Sequence, residues 1–306
     1  MRIADRLAQP EACFSFEFYP PKDDLAVDAL YRTVTELSEL RPGFVSVTYG
    51  AGGRNRARTL EITSRIKSVL GVEAMAHLTC VGHARNELDD IVARLQADGI
   101  ENVLALRGDA PPGLPFLPTP DGFNHASELI AYLRSRNRNL CIGAACYPEG
   151  HLEAASRDSD LARLKEKVDA GVDFLICQLF FDNAFFFDFV ERARKAGISV
   201  PIIPGIMPVT SLEQIERFTR MCGATVPMRL RLQLERRQDD PAAIQALGVA
   251  HATVQCMELL GRGVRAIHFF TMNKSPATRL IVAALQGASP LPSPPSPLQQ
   301  VERGDS

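Results

Sequence analysis

Eight short apolar segments alternate with longer stretches of helical period, so this chain is expected to be an α/β protein folded as one (β/α)8 barrel. Three observations carry that expectation. The first is the set of strand-like runs: Cys13–Phe18, Phe44–Tyr49, Glu73–Thr79, Asn102–Arg107, Cys141–Tyr147, Phe174–Phe180, Pro201–Met207 and Ala266–Met272. The second is the spacing between them, where Val27, Leu30, Val34 and Leu37, then Leu88, Ile91, Val92 and Leu95, then Leu161, Leu164 and Val168 recur on one helical face. The third is a repeated punctuation of glycine followed by a β-branched residue, at Gly99-Ile100, Gly171-Val172, Gly197-Ile198 and Gly263-Val264. Glycine suits a left-handed helix cap, and the branched residue begins the next strand. An open doubly wound sheet is the alternative arrangement of the same elements. One extra helix is expected over Pro241–Leu260.

At 306 residues, 46% hydrophobic and 23% charged, the chain can bury a core of this size. A formal net charge of −2 gives no long-range attraction to nucleic acid or to an anionic membrane. The longest apolar runs, such as Phe174–Phe181, are too short to span a bilayer, and residues 1–11 contain no signal-peptide core. A cytoplasmic location follows as an expectation; self-association into a homo-oligomer stays open. The seven cysteines are scattered without a Cys-x-x-Cys pair, which favours buried free thiols over disulfides or a metal site. From Ser289 the composition turns to proline and serine, so residues 1–288 are read as the barrel and 289–306 as a disordered tail.

Familiar phosphate and hydrolase signatures are absent. Gly50-Ala51-Gly52-Gly53 follows a strand but lacks the rest of a dinucleotide fingerprint, and Gly261-Arg262-Gly263 precedes a strand rather than a helix. The informative residues stand at strand ends. Alternation in Phe14-Ser15-Phe16-Glu17-Phe18 places Glu17 opposite the phenylalanines, inside the barrel. A carboxylate there is either a general acid with a raised pKa or half of a buried ion pair with a strand arginine. Arg107, Gly108 and Asp109 end the fourth strand, where barrel sites are built, although a solvated turn explains them equally. His77 and Thr79 end the third strand, Tyr147 the fifth, and Gln178 interrupts an apolar run with a polar amide. In the helix after the fifth strand, Arg163 and Lys167 are four apart, a spacing that suits either a phosphate clamp or a solvated face paired with Asp160 and Glu166.

Taken in order, nine blocks resemble the methylenetetrahydrofolate reductase family. They are Ser-Phe-Glu-Phe-Tyr-Pro-Pro-Lys at 15–22, Phe-Val-Ser-Val-Thr-Tyr-Gly-Ala at 44–51, His-Leu-Thr-Cys at 77–80 and Leu-Ala-Leu-Arg-Gly-Asp at 104–109. The series continues with Tyr-Pro-Glu-Gly-His at 147–151, Lys-Val-Asp-Ala-Gly at 167–171 and Gln-Leu-Phe-Phe-Asp at 178–182. Ile-Pro-Gly-Ile-Met-Pro at 203–208 and His-Phe-Phe-Thr-Met-Asn at 268–273 complete it. The resemblance implies the catalytic barrel alone. Its expected activity is FAD-dependent reduction of methylenetetrahydrofolate to methyltetrahydrofolate with NADH or NADPH, in ping-pong order. By the same resemblance Glu17 is the general acid and Asp109 the carboxylate beside flavin and pterin. Thr48, His77, Leu106, Arg107, Gly108, Asp109, Ala145, Tyr147, His151, Asp160 and Lys167 fall on FAD contacts, and Arg163 joins them as a candidate by its spacing from Lys167. Gln178, Phe218 and Lys274 join Glu17 and Asp109 on substrate contacts, and no metal is implied.

The chain departs from the family pattern at three places. Lys274 replaces a frequent arginine, Arg163 and Glu166 replace asparagine and arginine, and Val172 replaces alanine. Two readings from other classes compete: a cofactor-free barrel lyase, and a barrel that binds folate or a partner without turnover. The lyase reading wants a strand-end lysine or a cluster of metal ligands, and no strand here ends in lysine.

Overall fold

The structure, a computed structural model, describes residues 1–21, 23–49, 56–109, 116–117 and 119–287, without the side chains of Asp24, Leu25 and Arg56. The glycine-rich loop at 50–55, the proline loop at 110–113 and the tail from Ser289 lie outside the described residues. Eight parallel strands close in sequence order: β1 (Cys13–Phe18), β2 (Phe44–Val47), β3 (Ala74–Thr79), β4 (Asn102–Leu106), β5 (Cys141–Cys146), β6 (Phe174–Leu179), β7 (Ile202–Ile206) and β8 (Ala266–Phe270). Because β8 pairs with β1, the barrel is closed and the open-sheet alternative falls.

Six of the eight strands leave the ladder one or two residues before the apolar run ends. Tyr49, Arg107, Tyr147 and Met272 belong to the strand-like pattern but not to the sheet. In a tilted, staggered barrel the strand tips overhang their neighbours.

The helices are α1 (Ile3–Leu7), α2 (Asp24–Ser38), α3 (Arg56–Leu70), α4 (Arg85–Ala97), α5 (Ala126–Arg136), α6 (Arg157–Asp169), α7 (Asn183–Lys195), α8 (Leu212–Cys222), α9 (Met228–Glu235), α10 (Pro241–Gly261) and α11 (Pro276–Gly287). Helix α10 meets the sequence expectation, whereas α9 is an addition. Met228, Leu230, Leu232 and Leu234 alternate with polar residues, a strand-like period that hides the helix. Leu230 and Leu234, four apart, are the two that it buries.

Strand alternation separates two cores. Phe14, Phe16 and Phe18 face the helices, together with Leu30, Ile66 and Phe269. Cys13, Phe44, Met75, Leu104, Cys141 and Phe174 fill the lower barrel, and Ile3 of α1 packs among them. Helix α1 therefore plugs the base. Asn102 holds it there, accepting from Ile3 N at 2.8 Å and donating to Met1 O and Glu73 Oε1, each at 3.0 Å. The terminal ammonium meets Glu73 at 3.0 Å, and Arg2 meets Asp173 at 3.0 Å. All seven cysteines are free thiols; six are buried and Cys222 is partly exposed.

Ile3 is fully buried in the plug. Replacing it with alanine leaves a cavity at the base and is expected to cost about 2–5 kcal/mol in denaturant unfolding. A change below roughly 0.5 kcal/mol, the size of an ordinary surface substitution, would show that α1 does not dock.

Candidate active site

Glu17 sits inside the barrel, as alternation predicts, and is 6% exposed. Its partners are histidines rather than the strand arginine considered above. His268 Nε2 lies 3.4 Å from Glu17 Oε2, His77 Nε2 lies 3.5 Å from the same oxygen, and Ser46 Oγ donates to it at 3.5 Å. Desolvation pushes the carboxyl pKa up, but the His268 hydrogen bond, the two imidazoles and Ser46 outweigh it. The balance falls below the ordinary carboxylate value, which corrects the expectation of a raised pKa. Burial pulls the His77 imidazole down to about 4, against the pull of the Glu17 charge. His77 is therefore neutral at neutral pH.

The turn after β8 holds the end of β1 in place. Thr271 Oγ1 donates to Glu17 O at 2.6 Å. The Asn273 amide accepts from Tyr19 N at 2.8 Å and donates to Tyr19 O at 2.9 Å, standing in for a missing strand neighbour. Reaching that position puts Met272 and Asn273 in the left-handed region, at φ 55° and 56°. Sequence reasoning did not single out Ser15, Ser46, His268, Thr271 or Asn273 as site residues. Barrel closure supplies the missing signal, because the parallel register sets His268 beside Ser15 and Ser46 beside Glu17.

At the end of β4, Gly108 turns the chain at φ 83°, so close to Thr79 that an added Cβ would sit 2.9 Å from the threonine Cβ. That turn leaves Leu106 half-buried and Asp109 exposed at the mouth. Arg107 grips both oxygens of Glu153, at 2.6 and 3.0 Å, and its guanidinium lies 5.1 Å from the Phe116 ring. Beyond β5, the Tyr147 and His151 rings meet edge-on at 4.7 Å. His151 Nδ1 accepts from Glu153 N at 3.1 Å, which leaves the ring proton on Nε2. Asp160 accepts from His151 N at 3.3 Å, and burial pushes its carboxyl up against the charge of Lys167.

Arg163 and Lys167 do not converge. The Lys167 ammonium turns inward and donates to Ala145 O at 2.7 Å, with its pKa pulled down by burial. Arg163 points to solvent, 74% exposed, and pairs with Glu166 at 2.8 Å. The solvated-face reading describes Arg163, and a cation beside the strand ends describes Lys167.

Gln178 owes its position to a bulge. Ile176 pairs with Ile203, yet Leu179 pairs with Gly205, so β6 carries one extra residue. The Cys177 carbonyl is thereby driven against Gly205, where a Cβ would lie 2.2 Å from that oxygen and 2.6 Å from the Phe270 ring. Gln178 Oε1 accepts from Leu179 N at 2.9 Å, which leaves the NH2 end to donate. Phe218 of α8 packs half-buried beside Leu179, Met207 and Phe270. Thr225, past the end of α8, donates from its backbone N to Glu149 at 3.0 Å, drawing that connection over the β5 loop. Lys274 is exposed and lines a small cleft with Gln214 and Phe270.

Fold and site together define a (β/α)8 barrel protein that gathers its polar and titratable groups at the C-terminal mouth, the end that carries chemistry in this fold. The chain belongs to the methylenetetrahydrofolate reductase family, whose profile matches residues 2–286. It is 39% identical over 262 residues to the 5,10-methylenetetrahydrofolate reductase of Salmonella typhimurium, covering 85% of this chain and 86% of that one. It is 38% identical over 288 residues to methylenetetrahydrofolate reductase (NADH) 1 of Arabidopsis thaliana, covering 89% of this chain and 49% of the relative. The chain thus spans about half the length of its plant and fission-yeast relatives. Among solved structures, a Clostridium thermocellum protein described as binding two copies of 5-methyl-5,6,7,8-tetrahydrofolic acid superposes with a TM-score of 0.60. At 14% identity, over 92% of this chain and 97% of that one, it shows the shared fold.

The contact at Gly205 generates a stability prediction. Gly205→Ala forces either the β6 bulge or Phe270 to move and is expected to cost about 1–3 kcal/mol or more by thermal or denaturant unfolding. Wild-type stability in that variant would mean that the bulge is free to relax.

Proposed function

We propose that this chain reduces 5,10-methylenetetrahydrofolate to 5-methyltetrahydrofolate with NAD(P)H, using FAD, and that residues 1–288 form the catalytic unit. Family membership supports the reaction. The observation that carries the reading is Glu17, a carboxyl enclosed with two imidazoles below an open mouth.

The residues around that mouth fit a flat, anionic cofactor. Thr48 Oγ1 is buried without a hydrogen-bond partner at the end of β2, a group that a ligand would satisfy. His151 offers an Nε2 proton, Arg107 and Lys167 supply positive charge, and Gly108 keeps the β4 turn narrow. Together with His77, Leu106, Asp109, Ala145, Tyr147 and Asp160 they form the proposed FAD contacts. Arg163, turned to solvent, contributes at most at long range. FAD held by these residues would supply hydride transfer from NAD(P)H to the folate, and with it ping-pong kinetics.

The chain's own residues supply binding and a proton. Glu17 delivers the proton to N10 that opens the imidazolidine ring to a reactive iminium, a general-acid role. Asp109 is an acceptor for the pterin N–H groups, and the free NH2 of Gln178 is a donor to the same ring. Phe218 offers a face for stacking, and Lys274 a point charge for the glutamate carboxylates.

Two measurements test this reading. The purified protein should be yellow with noncovalent FAD; a colourless preparation that binds no added FAD overturns the proposal. Stopped-flow comparison of the half-reactions tests Glu17. Glu17→Gln keeps side-chain volume without a transferable proton, so the NAD(P)H half-reaction should stay within roughly tenfold while folate reduction falls at least about 10²-fold. Equal losses in both would make Glu17 structural.

A further inference from the structure

We propose that His268 is the positioning residue of this acid: it shares one proton with Glu17 inside the barrel, and Ser15 decides which ring nitrogen faces the carboxyl. The inference rests on the reduction proposed above and names the device that keeps its acid loaded.

His268 is fully buried. Its ring stacks on Phe44, with centroids 6.0 Å apart at 16°, and meets Phe270 edge-on at 5.4 Å and 88°. Those two rings flank the imidazole. On one side, Nδ1 lies 2.8 Å from Ser15 Oγ. The Ser15 hydroxyl has its own acceptor in Ile267 O at 3.5 Å, so its oxygen lone pairs are left for the ring. In this proposal that hydroxyl donates to Ile267 O, which places a proton on Nδ1.

That assignment constrains the other side. A neutral ring protonated at Nδ1 has a bare lone pair at Nε2, and Nε2 faces Glu17 Oε2 at 3.4 Å. Lone pair against carboxylate is repulsive, so one proton belongs between them. It resides on Nε2, as imidazolium and carboxylate, or on Oε2, as a neutral pair. The other groups acting on Glu17 do not replace it. His77 is held neutral by burial, and Ser46 donates only a hydroxyl. Tyr19, just past the end of β1, stays protonated because burial and the Glu17 charge both push its hydroxyl up. Opposite His268 on β7 stands Gly205, which brings no charge.

The proton count closes. In the neutral pair, the Glu17 O–H bond breaks as the substrate nitrogen takes the proton, leaving a carboxylate beside a neutral ring. One proton from water then restores the pair before the next turnover. The protonated pair is the active form, so folate reduction is lost as pH rises. Removing His268 leaves Glu17 to titrate alone and moves that limb of the profile.

The test uses the full chain with FAD. His268→Gln retains a polar side chain of similar reach but cannot hold the proton. It should slow the folate half-reaction roughly 10²-fold and displace its pH limb by about one unit or more. The NAD(P)H half-reaction and the folate Kd should stay within about threefold, since neither needs the acid. Ser15→Ala removes the Nδ1 acceptor and should move both readouts in the same direction by a smaller factor. It also keeps the test decisive if the His268 variant fails to fold.

Histidine 15N NMR of the wild type is independent of activity. It should show His268 carrying its proton at Nδ1. An unchanged pH limb in both variants, equal losses in the two half-reactions, or a bare Nδ1 overturns the proposal. A wild-type protein that turns over no folate defeats the reductase reading instead, while the NMR assignment of the ring proton still decides the pair.

Discussion

Glu17 places a carboxylate inside a barrel whose lower interior is filled by Ile3, Phe44, Met75, Leu104 and Phe174. Burying such a charge without partners costs several kcal/mol, more than one domain readily spares from a stability of about 5–15 kcal/mol. Much of the upper barrel can be understood as an answer to that cost. Ser46 and His268 bring hydrogen bonds from the two strands flanking β1, His77 adds a third polar neighbour, and Thr271 ties down the backbone. These groups pull the carboxyl below its ordinary pKa despite full burial. A site built this way is polar only where the acid needs it.

The barrel divides its two ends by chemistry. At the base, α1 closes the interior with Ile3 and a polar clasp of Asn102, Glu73 and the terminal ammonium. Those groups are paired and packed, which is what a stability element requires. At the mouth, the strand tips leave the ladder, Thr48 Oγ1 is buried without a partner, and Met272 and Asn273 adopt left-handed backbone. Unmet hydrogen bonds and strained turns persist in folded proteins where surrounding structure enforces them, and they gather at sites of function. The β6 bulge belongs to the same end. It re-aims Gln178 and is possible only because residue 205 has no side chain.

Connections across the mouth come from the segment between β7 and β8. Helices α8 and α9 precede α10 there, and the Thr225–Glu149 contact joins this segment to the loop after β5. Phe218 is carried on α8 rather than on a strand. An aromatic placed on such a connection can adjust to two different substrates more readily than a strand residue can, which suits a site that is proposed to take a nucleotide and a folate in turn.

Local pattern determined a good deal of this protein. Alternation and glycine caps located all eight strands, and period-two logic put Glu17 inside the barrel before any contact was known. These features depend on neighbours within a few residues, which is the range over which a sequence pattern carries geometric meaning. The colinear blocks added the family, because they match residue by residue. Tertiary structure alone decided the partners. Glu17 and His268 are 251 positions apart and meet only when β8 closes on β1. Spacing put Arg163 and Lys167 on one side of a helix, but the rotation of α6 against the barrel sent one to solvent and the other to Ala145 O. The carboxyl pKa went the opposite way from the sequence expectation for the same reason. Burial was legible from alternation, whereas the imidazoles that outweigh it arrive from strands far along the chain.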